Sequence, residues 1–62
     1  MIERIRIWED EIKDLQRIIS ANEKVLELER SSEKRATLLR EISDLESKVE
    51  HIRFKIAAWR DA

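Results

Sequence analysis

The sequence predicts an all-α antiparallel helical hairpin with coiled-coil packing, and three observations carry that prediction. The 62 residues contain neither glycine nor proline, so the usual residues of tight turns and strand hairpins are missing. Apolar residues recur at alternating steps of three and four along both halves, the mark of a heptad seam. The two seams are out of phase, so on one straight helix they would lie on opposite faces, whereas a chain that turns back can bring them together.

The first helix is expected from about 2 to 29, carrying Ile5, Trp8, Ile12, Leu15, Ile19, Asn22 and Leu26 as its seam. Ser20 and Glu23 spell a helix-start signal here, but apolar spacing on both sides argues that the helix continues. The second helix, from about 34 to 60, carries Leu38, Ile42, Leu45, Val49, Ile52, Ile56 and Trp59. Leu26 and Ile42 are both a positions, yet they are not separated by a multiple of seven. At about 100° per residue the mismatch rotates the stripe by roughly 160°.

A reversal centred on Ser32 removes the mismatch, pairing a with d at every layer: Ile5 with Trp59, Trp8 with Ile56, Ile12 with Ile52, Leu15 with Val49, Ile19 with Leu45, Asn22 with Ile42, and Leu26 with Leu38. Flanking charges agree, since the hairpin sets Glu9 near Arg53 and Glu11 near Lys55. A parallel pair of second halves would instead oppose Glu41 to Glu46, Lys48 to Arg53 and Lys55 to Arg60; each such pair carries a small cost. The turn is therefore expected at about 30–33, within a single domain spanning 1–62.

Local propensity opposes this turn. Glu29, Arg30, Glu33, Lys34, Arg35 and Ala36 are all good helix formers, and only Ser31 and Ser32 offer an N-cap, neither with a capping box. The alternative is one continuous helix of about 90 Å, threaded through Ile18, Ala21, Val25, Leu28, Ser32, Ala36 and Leu39 and built into a coiled-coil assembly.

A chain this short seldom stabilises itself without a disulfide, a metal or a partner. It has no cysteine and one histidine, so disulfides and closed zinc sites are excluded. Self-association is expected instead. Apolar residues that the seam does not cover support it: Ile18 and Val25 at g, Ile2 and Leu39 at e, Ile7 and Leu28 at c, and Phe54 at f. A stripe widened in this way is typical of bundles. Two hairpins are expected to close into a four-helix bundle through Ile18, Ala21, Val25, Leu28 and Leu39, as a homodimer first, with a tetramer or another helical protein as further partners. Asn22 in the seam either fixes register or sits at a hydrated layer near the turn. Trp8 and Trp59 are expected to close the open end.

Chemistry is sparse. The Glu-x-x-His spacing of helical carboxylate-metal sites is absent, because Lys48 and Ser47 precede His51 at those distances and Phe54 and Lys55 follow it. There is no cysteine nucleophile and no glycine-rich phosphate loop, so neither an enzyme nor a cofactor is expected. Apolar runs are too short to span a membrane, and the acidic N-terminal segment lacks the layout of a secretory signal. A cytoplasmic protein is the expectation.

The segment KVEHIRFKIAAWR sets Lys48, Arg53, Lys55 and Arg60 against the single acid Glu50, with Phe54 and Trp59 interleaved. Such a segment can contact phosphates. In length and hairpin form the chain resembles the plasmid Rop-type bundle, a likeness that implies RNA binding, although no motif carries residues across and the formal net charge of −1 counts against it. The leading expectation is a structural module for oligomerisation, scaffolding or adaptor work; a small RNA-binding bundle is the alternative.

Overall fold

The structure, a computed structural model, describes residues Ile2–Asp61; the side chain of Ile2, expected on the e flank, lies outside the described residues. Two helices, α1 (Ile2–Leu28) and α2 (Ser32–Asp61), pack against each other as an antiparallel hairpin. The long axis measures 47 Å, close to the roughly 45 Å of a 30-residue helix. The chain turns back. Ser20 and Glu23 lie inside α1, where the uninterrupted seam outweighs the local cap signal.

How the chain turns without glycine is visible in its hydrogen bonds. A helix leaves its last carbonyls without partners, and a residue in the left-handed conformation commonly closes that end. Among the described residues none has positive φ. Arg35, in the first turn of α2, reaches back instead: its Nη1 donates to the carbonyls of Leu26 at 2.8 Å and Glu29 at 3.3 Å. The last turn of α1 has no basic residue of its own, so this guanidinium also supplies the positive charge that favours a helix C-terminus.

Side chains satisfy the donors of the connection as well. The Glu29 carboxylate accepts from the backbone N–H groups of Arg30 and Ser31, both at 3.1 Å, and Glu29 N donates to Leu26 O at 3.3 Å. Ser31 is the N-cap of α2: its Oγ accepts from Lys34 N at 3.5 Å and its carbonyl from Arg35 N at 2.9 Å. That cap starts α2 at Ser32, ahead of the start near 34 that the sequence suggested. Glu33 in the first turn and Arg60 in the last suit the dipole of α2.

The core is a single row. Ile42, Val49, Ile52 and Ile56 are buried at 5–8% exposure, and all four belong to α2. Ile5, Trp8, Ile12, Leu15, Ile19, Asn22, Leu26, Leu38 and Leu45 are half-buried, and Trp59 is 37% exposed. Outside these positions, only Glu29 among the described residues is not exposed. Removing a fully buried aliphatic side chain from water is worth about 1.5–3 kcal/mol, so these four residues dominate what one hairpin can gain.

Two outcomes follow. Ile52→Ala should lower stability by about 2–3 kcal/mol in urea titration followed by helical circular dichroism, whereas Phe54→Ala, at a 73% exposed position, should change it by less than about 0.5 kcal/mol; equal losses would contradict the seam. Arg35→Ala should cost about 1–2 kcal/mol in the same titration, and Arg35→Lys should recover only part of it, because both bonds come from Nη1 and the lysine ammonium stops one bond short of that position.

Candidate interaction surface

Packing one seam against another leaves two flanks along the hairpin, and helical spacing sorts the remaining side chains between them. On one flank the a positions Ile12 and Ile56 form the floor of a groove with Glu9, Gln16, Arg53 and Arg60. The opposite groove has the d positions Leu15 and Ile52 as its floor, beside Glu11, Asp14, Lys48, His51 and Lys55. Both are open troughs.

This sorting divides the basic segment. Arg53 and Arg60 fall on the first flank, Lys48 and Lys55 on the second. Arg60 Nη2 bridges Glu9 at 3.5 Å, and Arg53 Nη1 bridges Glu50 at 3.3 Å within its own helix. Glu9 and Arg53 line the same groove, as the register expects, but the ion pair of Glu9 goes to the cation one heptad further on, and Arg53 is drawn to Glu50 three residues before it. Lys55 shares a groove with Glu11 but makes no ion pair with it; its Nζ stands 5.9 Å from the Trp8 ring centroid, a cation–π distance.

The open end is an aromatic clasp. Trp8 and Trp59, from neighbouring layers, meet edge to face with centroids 6.0 Å apart and planes at 72°, the favoured arrangement for aromatic pairs. Arg4 covers the Trp59 ring at 5.0 Å. Neither Arg4 nor the turn residue Arg35 was singled out from the sequence, since each acts across the hairpin.

Among the described residues, the large exposed apolar side chains find little cover within this chain. Ile7, Ile18, Val25 and Leu28 are 59%, 47%, 50% and 84% exposed, and with exposed Ala21 they share one side of α1. Leu39, at 52% exposure, lies two heptads before Arg53 and so takes the Arg53 flank, away from the α1 residues with which it was grouped. Phe54 lies on the outer face of α2 beside Ser43, Ser47, Glu50 and His51. His51 is exposed, and no group of three potential metal ligands occurs among the described residues. No helix among them is long and apolar enough to cross a membrane.

No known protein family, no curated protein and no solved structure matches this chain. Its functional reading rests on the surface just described, and the likeness to the Rop-type bundle stays one of length and hairpin form.

The Glu9–Arg60 bridge is exposed on both sides, where ion pairs contribute little. Glu9→Gln should therefore lower stability by less than about 0.5 kcal/mol, and thermal melts of the two proteins should coincide at about 1 M salt.

Proposed function

We propose that this chain is a non-enzymatic structural module that self-associates through helix packing, two copies forming a four-helix bundle, in an oligomerisation, scaffolding or adaptor role. The observation that carries the reading is the surface left uncovered. The hairpin exposes 5236 Å², where a compact chain of this mass would expose about 4,200 Å². Its radius of gyration is 14.5 Å, against about 11 Å for a compact domain of this length. No side chain among the described residues is fully buried, and four large aliphatic residues line one side of α1.

A thin core beside an apolar stripe is the expected state of a half-bundle. The excess surface, about 1,000 Å², matches what one partner contributes to a standard interface. A tetramer or a second helical protein would satisfy the same stripe, and a cytoplasmic setting belongs to the same proposal. Phosphate binding fares less well: Lys48, Arg53, Lys55 and Arg60 are divided between two flanks, and two of them are bridged to carboxylates.

Light scattering coupled to size exclusion, with small-angle scattering on the same sample, tests the reading. A mass twice that of the chain with a maximum dimension of about 45–65 Å is expected. A monomer at every concentration up to about 1 mM, a dissociation constant beyond which dimers are marginal, would overturn it. A gel shift at low salt should show no RNA or duplex DNA bound at micromolar protein; salt-sensitive retardation would favour the nucleic-acid reading instead.

A further inference from the structure

Building on the self-association proposed above, we infer that the contact between copies is α1 against α1 of a second copy, antiparallel and centred between Ala21 and Val25. The basis is a second heptad pattern. Outside the seam, α1 repeats the alternation of three and four through Ile7, Glu11 and Asp14, then Ile18, Ala21, Val25 and Leu28. The last four are apolar without interruption. The α2 positions beside this stripe are charged, Lys48 and Lys55 bordering Glu11 in one groove and Lys34 bordering Val25 in another. Only α1 offers an apolar face here.

Charge then selects the pairing. In a parallel contact Glu11 and Asp14 would each oppose their own copy, a like-charge arrangement at the centre of an interface. An antiparallel contact shifted toward the N-terminus would set the same carboxylates against Ile18, Ala21, Val25 or Leu28, burying charge without a partner. Centring the antiparallel contact near residue 23 avoids both. Ile18 then faces Leu28 of the second copy and Ala21 faces Val25, each pair occurring twice by two-fold symmetry, while Glu11 and Asp14 stay outside the contact; the two hairpins overlap over about 16 Å beside their turns, and the four helices lie together only there.

The fit is also steric. Ala21 is the small member of the stripe, so its layer provides the hole that a Val25 from the other copy fills. One feature opposes the arrangement: Lys24 comes level with its own copy at the outer edge. Salt screens that repulsion without weakening apolar burial, so the dimer should tighten as salt rises from about 0.05 M to about 0.5 M.

Glutamate substitutions and cysteine trapping test the assignment together. Val25→Glu and Leu28→Glu alter exposed positions, so helicity should be retained while the mass by light scattering falls to that of one chain; Phe54→Glu should leave a dimer. Because the chain has no cysteine, single replacements report orientation. Mixed under mild oxidation, Ala21→Cys and Val25→Cys chains should form the crossed disulfide about tenfold faster than Ala21→Cys chains pair with one another, since only the crossed pair brings the α-carbons within bonding range. A wild-type chain that never dimerises removes the self-association reading and this assignment with it. A wild-type dimer indifferent to both glutamates retains self-association but places it on another face. Equally rapid disulfide formation between two Ala21→Cys chains, or a dimer that loosens as salt rises, overturns the antiparallel register.

Discussion

The reversal that brings the two seams together is closed by one guanidinium. A helix that stops leaves carbonyls facing nothing, and a chain without glycine cannot readily close that end with a left-handed residue. Arg35 meets part of this need by donating to Leu26 and Glu29 from the opposite helix, so this cap forms only where α2 has come back beside α1. Capping and chain reversal are therefore one event. Glu29 completes it by accepting the two N–H groups that the reversal frees, and the seams meet because the reversal leaves them facing each other.

What this produces is sufficient for a hairpin and incomplete as a core. The buried residues all belong to α2, while their partners on α1 stay half-buried, and a two-helix seam has no third element to cover its sides. Polar and charged flanks partly shield it: Glu9, Gln16 and Arg53 border one groove, and Glu11, Lys48 and Lys55 the other. The tryptophan clasp guards the end where fraying would begin. The uncovered stripe of α1 lies toward the turn, where the seam's own residues, Leu26 and Leu38, are only half-buried.

Much of the fold was legible because the heptad period is a strong signal. Phase and flanking charge favoured a reversal, while the local propensity of Glu29 to Ala36 kept a continuous helix as the alternative. The turn chemistry was less legible. Extending the register one layer beyond Leu26 and Leu38 pairs Glu29 with Arg35, the two residues that build the turn, yet propensity reads both as ordinary helix formers. Their role arises from an approach across the turn that no local window contains. The choice of Arg60 over Arg53 as the partner of Glu9 was hidden for a related reason: residues one heptad apart share a flank, and long side chains decide between them. The apolar side of α1 was readable from spacing, whereas placing Leu39 on the other flank required the sides of the hairpin to be distinguished first.

Because the chain doubles back, Ile2 and Asp61 lie at the same end of a 47 Å rod. Anything attached at the two ends leaves side by side, and the turn points away from both. Tension applied between those attachments would peel the layers apart one at a time, beginning with the tryptophan pair, instead of loading them all in shear. Such a geometry suits a clip that gathers its attachments, and it would yield early as a strut meant to hold them apart.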